Sequence, residues 1–220
     1  MTAPIIESDA PARLGELREQ LSAAAEWRLL SLLLSRPRPG WYEEVSALAR
    51  EVGDPQLRQA ALEARDATEG AYHALLGAGG PASPREAAHA GFGDPGRILS
   101  DLTLRYGAFG FSPRAEEADD HLAVECGFVS YLFLKEAYAL ARGEEEAAAV
   151  TREQRARFLA EHAAVAGRGF AGKLPAGSPG YLLATAAALA ERLPATPTVP
   201  EAGPEQDPLD GGCPGVCGLS

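Results

Sequence analysis

The helical spacing of apolar residues is the feature that most limits what this chain can fold into. Between Leu122 and Leu140, apolar side chains follow one another at intervals of three and four, and others widen that surface beyond a single stripe. Alternating apolar and polar runs are nearly absent, and β-branched residues are sparse beside alanine and leucine. The pattern predicts an all-α fold whose central helix is buried on most sides.

The same spacing, punctuated by proline and glycine, predicts the remaining helices. They are expected at 12–34, 41–51, 54–76, 97–106, 152–170 and 178–193, with Ser178 and Pro179 as the N-cap and first residue of the last one. Turn residues dominate 77–96, where at most a short helix fits around 85–90. We therefore predict a single all-α domain at 12–193, with about 8–11 helices in two helix groups joined by a Gly/Pro-rich connector.

Length and composition set the class of protein. The chain has 220 residues, 46% of them hydrophobic, which suits one domain with a sizeable core. The formal net charge of −11 disfavours nucleic acid as a partner and favours basic ligands. No apolar run approaches the ~18 residues of a membrane span, so stable membrane insertion is not expected.

The two ends of the sequence differ from its middle. Residues 1–11 are expected to form a flexible leader, and they lack the basic region and apolar core of a secretory signal peptide. Residues 194–220 are rich in proline, glycine and acids, and they are expected to form a disordered acidic tail that carries Cys213 and Cys217. These features predict a cytoplasmic protein in which a terminal disulfide is not favoured.

Four acids gather at the start of the central helix. Glu116, Glu117, Asp119 and Asp120 precede His121 directly. The acids either only cap the helix of a plain helical scaffold, for which one aspartate would suffice, or bind something positive. Within the helix, Glu125 follows His121 by four residues and must find a partner or take up a proton if it is buried.

A metal-binding protein or an enzyme centred on Asp120, His121 and Glu125 is the alternative interpretation. Its support is limited, because Glu86 and His89 form a single Glu-x-x-His where a di-iron bundle uses two. The sequence contains neither a Gly-x-Ser-x-Gly elbow nor a Walker loop. We therefore expect no enzymatic activity, no metal and no cofactor.

The acidic segment is part of a longer motif that resembles a known family. It reads Glu116-Glu117-Ala118-Asp119-Asp120-His121-Leu122-Ala123-Val124-Glu125-Cys126-Gly127-Phe128. This is similar to the signature of the TorD/DmsD/NarJ chaperones, with Cys126 where leucine is usual and Val129 where methionine is usual. Flanking similarity at 27–37, 158–162, 170 and 181–184 extends the resemblance over about 20–193, while 82–89 matches poorly.

The resemblance implies a cytoplasmic, all-helical chaperone of molybdenum-cofactor oxidoreductases. Such proteins bind the client's N-terminal signal peptide, often a twin-arginine one, and the apo form of the enzyme, and delay export until the cofactor is loaded. Asp120 and His121 match the family's ligand-site pair. We expect Asp119 and Asp120 to receive the arginines, His121 and Glu125 to orient the site, and Tyr106 and Phe111 to line its apolar half. The connector would permit either a monomer or a domain-swapped dimer.

Overall fold

The computed structural model describes residues 10–91, 94–113 and 117–195, and these ranges are helical with turns and no strand. Their α-helices are α1 (Ala10–Leu34), α2 (Trp41–Ala49), α3 (Pro55–Glu63), α4 (Glu69–Leu76), α5 (Pro95–Phe109), α6 (Leu122–Arg142), α7 (Glu145–Phe158), α8 (Ala164–Lys173) and α9 (Gly180–Arg192). The prediction of an all-α protein is confirmed. Most of the predicted leader and tail, with Cys213 and Cys217, lies outside the described residues.

Helices α1 and α6 form an antiparallel pair at the centre of the fold. The Ser130 hydroxyl on α6 donates to the Ala24 carbonyl on α1 at 2.7 Å, and Gly127 faces Ser31 one turn further along. Leucines 29, 30 and 33 of α1 and the side chains of Phe128 and Leu132 on α6 are fully buried. Helices from before and after the connector share this core, because α3 packs on α9 and α1 on α6.

The connector packs against the helical core through buried polar contacts. A short 3-10 turn at Glu86–Ala88 buries the Glu86 carboxylate, which lies 3.0 Å from His162 Nδ1. His162 sits in a π-helical turn, Leu159–Ala163, and its Nε2 lies 2.8 Å from Asp101. The connector is thereby fixed against the helices that follow it.

The predicted helix at 54–76 is wrong in one respect, because it is two helices. After α3 the chain makes a 3-10 turn at Ala64–Asp66, and Thr68 then caps α4 by accepting the Ala71 N–H at 3.2 Å. The predicted cap at Ser178 is also wrong, because α9 begins at Gly180 and the Ser178 hydroxyl makes no hydrogen bond within the described residues. None of the helices in the described ranges combines the length and apolar character that a membrane span needs.

Candidate functional site

The acidic turn before α6 is joined to the connector by backbone hydrogen bonds. The Glu86 N–H donates to the Asp120 carbonyl at 2.8 Å, and the Leu122 N–H donates to the Pro84 carbonyl at 2.8 Å. Arg85 and His121 therefore face one another in an isolated antiparallel bridge. This contact fixes the entry of α6 relative to the connector.

Asp120 is a fully buried anion with a cationic partner from the connector. Its carboxylate is paired with the guanidinium of Arg85 and accepts the Ala87 N–H at 3.3 Å. The Arg85 side chain is partly exposed, so the pair lies at the edge of the core. In this structure the positive partner of Asp120 is thus an arginine of the chain itself.

His121 is the N-cap of α6 and a buried link between three helices. Its Nδ1 accepts the Ala123 N–H at 3.1 Å, so Nε2 carries the proton and donates to the Tyr72 hydroxyl at 3.1 Å. That hydroxyl in turn donates to the Leu34 carbonyl at the end of α1. Burial lowers the pKa of His121 to about 4, although nearby carboxylates act in the opposite direction. The ring is therefore neutral near pH 7, and both its nitrogens are occupied.

Glu125 is fully buried, and neither of its oxygens has a hydrogen-bond partner among the described residues. Burial raises its pKa well above the ordinary value, and the negative charges of Glu86 and Asp120 act in the same direction. The expected partner, His121, uses both ring nitrogens elsewhere. Within the described ranges, no group of three or more histidine, cysteine or acidic residues is arranged to hold a metal ion.

The buried carboxyl of Glu125 predicts a pH-dependent effect on stability. Because its pKa is raised in the fold, its contribution is fully present below the unfolded-state value near 4.5 and is lost as pH rises through the folded-state value. We expect Glu125→Gln to remove this loss, so the variant gains stability over wild type as pH increases from 5 to 8. Urea unfolding at pH 5 and pH 8 measures the free energy of unfolding of the variant and of wild type. Glu19→Gln, at an exposed residue of α1, is the control. A constant difference between variant and wild type would contradict the prediction.

The aromatic half of the predicted site is divided between the core and a surface groove. Tyr106 is buried on α5 and donates its hydroxyl to the Asp119 carbonyl at 2.9 Å, while the Asp119 carboxylate accepts the Thr103 hydroxyl at 3.1 Å. The rings of Tyr106 and Phe111 meet edge to face with centroids 5.2 Å apart. Phe111 therefore extends the core cluster of aromatic rings towards the surface.

A groove of about 820 Å³ opens between α1, α6 and the segment 110–113. Its lining residues are Arg28, Ser31, Leu32, Ser35, Arg36, Arg38, Glu44, Gly110, Phe111, Ser112, Pro113, Glu117, Ala123, Val124, Gly127 and Tyr131. Of the six residues predicted for the site, only Phe111 lies in this lining, together with Glu117 from the acidic motif. The other five, Asp119, Asp120, His121, Glu125 and Tyr106, are not lining residues.

Small residues create the floor of the groove. A Cβ at Gly127 would lie 3.3 Å from the Ser31 hydroxyl and 3.8 Å from the Phe111 ring, so a larger side chain here would crowd Ser31 and narrow the groove. Ser35 continues the serine face of α1 one turn beyond Ser31. Sequence reasoning missed these residues, although Ser31 and Ser35 repeat at helical spacing within an otherwise leucine-rich segment.

The groove carries both signs of charge. Glu117 accepts the Arg36 backbone N–H at 3.2 Å, and Arg38 pairs with Glu44 at 2.8 Å. Arg28 donates to the Ser31 hydroxyl at 3.4 Å. Apolar surface from Phe111, Val124 and Tyr131 lies between these groups. Such a cleft suits a peptide that has both charged and apolar side chains.

Comparison with known families identifies one match. The model of the family described as "Nitrate reductase delta subunit" matches residues 38–165, which is more than half of the chain. The match spans α2 to α7 and includes the acidic motif and the α6 wall of the groove. No curated protein and no solved structure matches the chain.

Proposed function

The chain belongs to the nitrate reductase delta subunit family of molybdoenzyme maturation chaperones, and from this premise we propose that it binds its client's N-terminal signal peptide in the groove between α1 and α6. Membership implies a chaperone that interacts with a molybdoenzyme catalytic subunit. Binding of the signal peptide would take place in the cytoplasm, before export. The position of the open groove beside the family motif is the observation that carries this proposal.

The groove supplies complementary chemistry for a twin-arginine peptide. Glu117 and Glu44 lie in its lining, where guanidinium groups of a ligand could replace their present contacts with Arg36 and Arg38. Phe111 and Tyr131 offer an apolar wall to the hydrophobic run that follows the arginines. Glu117 and Phe111 are thus the proposed contact residues.

The other predicted site residues have a positioning role in this proposal. Asp120 and His121 fix the start of α6, from which Ala123, Val124 and Gly127 face the groove. Tyr106 supports Phe111 and holds the backbone of Asp119. Glu125 is fully buried and is not among the groove-lining residues. Changing these residues would alter binding through the shape of the groove.

Calorimetric titration with a peptide of about 30 residues from the client's N-terminus tests the proposal. We expect the affinity to fall with added salt, because exposed charges take part, and to fall when the peptide's two arginines are replaced by glutamine. Glu117→Gln should weaken binding by up to about fivefold, as for a rim ion pair. The matched control is Glu153→Gln, an exposed carboxylate on α7. Equal affinity for the arginine and glutamine peptides would refute the proposed site.

A further inference from the structure

We propose a second docking surface, the outer face of α1 and α6 beyond the groove, which takes an acidic amphipathic helix of the client's catalytic subunit. We define this outer face by Leu14, Arg18 and Leu21 on α1 and Leu134, Lys135 and Tyr138 on α6. The inference rests on the proposed function only in naming the client as the source of the helix. The surface itself is argued from exposure, register and charge.

The outer face is unusually apolar for a surface. Leu14 and Leu21 are 56% and 45% exposed, and Leu134 and Tyr138 are 47% and 64% exposed. These are four of the eight large apolar side chains that the described residues expose. Contiguous exposed apolar side chains of this kind mark interaction sites more often than isolated ones do.

Helical register makes the outer face continuous with the groove. On α1, Leu14, Leu21 and Arg28 follow at intervals of seven and so lie on one side of the helix, and Arg28 lines the groove. On α6, Leu134 and Tyr138 follow Tyr131, another lining residue. Because α1 and α6 are antiparallel, with Ala24 at Ser130 and Arg13 near Gly143, Leu21 falls beside Leu134.

The charge of the outer face is opposite to that of the whole chain. Arg18 lies one turn from both Leu14 and Leu21, and Arg28 lies two turns beyond Leu21. Among the residues that the structure describes, neither arginine has a carboxylate within 4.0 Å, while Lys135 donates to the Phe109 carbonyl at 2.9 Å. A basic rim around leucines, in a protein of net charge −11, favours a partner with acidic and apolar residues.

The partner's conformation follows from the backbone of the outer face. Both α1 and α6 satisfy their own backbone groups, so they offer no edge with which an extended peptide could pair. An extended peptide would therefore leave its backbone groups without partners on this surface. A helical peptide satisfies its own backbone groups and can pack its apolar side between α1 and α6. From Leu14 to Leu21 the outer face extends along α1 for about 11 Å, so it contacts about two turns of a docked helix.

A designed peptide of about 20 residues tests the chemistry of the outer face, with leucines at helical spacing and flanking glutamates. A second, basic peptide for comparison has lysines in place of the glutamates. By fluorescence anisotropy with the full-length protein, we expect the acidic peptide to bind at least about tenfold more tightly than the basic one. Leu21→Glu combined with Leu134→Glu should abolish this binding, whereas Leu104→Glu, at a 71% exposed residue on α5, should not. Arg18→Glu with Arg28→Glu should reverse the preference.

The same variants connect the outer face to the client. Recovery of the catalytic subunit with tagged chaperone should fall at least about fivefold for the double variant Leu21→Glu with Leu134→Glu, while titration of this double variant with the signal peptide should match wild type. Equal binding of the two designed peptides, or recovery that is insensitive to these variants, would overturn the inference. Failure of the signal peptide to bind, with the outer-face results as expected, would overturn the proposed function alone.

The chain's own acidic segment is a competing occupant that the assay can detect. Glu201, Glu205, Asp207 and Asp210 are neutralised together in the full-length chain by the amides Gln, Gln, Asn and Asn. Unchanged affinity for the acidic peptide supports assignment of the outer face to the client. A segment tethered to the same chain competes at an effective concentration in the millimolar range, so its removal would raise the affinity for the acidic peptide by about tenfold or more. Such an increase would assign the outer face to this segment and overturn the partner proposed here.

Discussion

Replacing His121 with alanine is expected to lower the free energy of unfolding by about 2–4 kcal/mol. The change removes the acceptor of the buried Ala123 N–H at the start of α6 and the donor to the Tyr72 hydroxyl. It also removes a titration: because the folded-state pKa is lowered to about 4, wild type loses stability as pH falls below the ordinary value of 6.5. The variant should lack this loss. Urea unfolding at pH 7 and pH 5 measures both effects.

His73→Ala is the matched control for this prediction. His73 is exposed on α4 and lies 3.4 Å from Glu69, a surface pair whose loss should change stability by less than about 1 kcal/mol. If His121→Ala were as stable as wild type but had lost the signal peptide, His121 would be a direct contact. Weakened binding that recovers in a stabilising osmolyte would support the positioning role.

Filling the groove is expected to have the largest effect on binding. Gly127→Phe places a ring in the space between Ser31 and Phe111, so the signal peptide loses its apolar contacts and the affinity should fall at least about 30-fold. A Cβ at Gly127 lies 3.3 Å from the Ser31 hydroxyl, so the Ser31 side chain must shift by a few tenths of an ångström to accept the new residue. Phenylalanine itself is tolerated in a helix better than glycine, and we expect the fold to persist. Calorimetric titration with the same N-terminal peptide gives the affinity, and circular dichroism confirms the helical content.

Gly172→Phe provides the equivalent change away from the groove. Gly172 is exposed on α8, and no atom lies within 4 Å of a Cβ placed there. We expect this variant to bind the signal peptide with the wild-type affinity. Retained affinity in Gly127→Phe would exclude the groove as the peptide site, and equal loss in both variants would indicate a general effect of the added ring.

The sequence predicted the long helices because their spacing is a local property. Apolar residues at intervals of three and four mark α1 and α6, and both form as expected. Local rules failed where two of them competed. Thr68 fits the apolar stripe of a long helix, but its hydroxyl caps α4 instead, and Pro179 precedes α9 where we expected it to be the first helical residue.

The acidic motif was recognised, but its internal contacts could not be read from sequence spacing. Asp120 pairs with Arg85, which is 35 residues earlier, and only the bridge between connector and motif brings them together. His121 and Glu125 are four residues apart, yet both ring nitrogens of His121 bond to other groups and the Glu125 carboxyl oxygens have no hydrogen-bond partner among the described residues. The groove forms because α1 lies against α6, so the sequence alone does not indicate that Ser31, Ser35 and Gly127 line it.

The most direct measurement of the central claim is site-specific photo-crosslinking to the client. A benzophenone amino acid at Tyr131, in the groove, is compared with the same group at Leu104, which is exposed on α5. The account predicts that the probe at Tyr131 couples to the N-terminal segment of the client and that the probe at Leu104 does not. Coupling from Tyr131 only to the body of the catalytic subunit, or equal coupling from both positions, would contradict it.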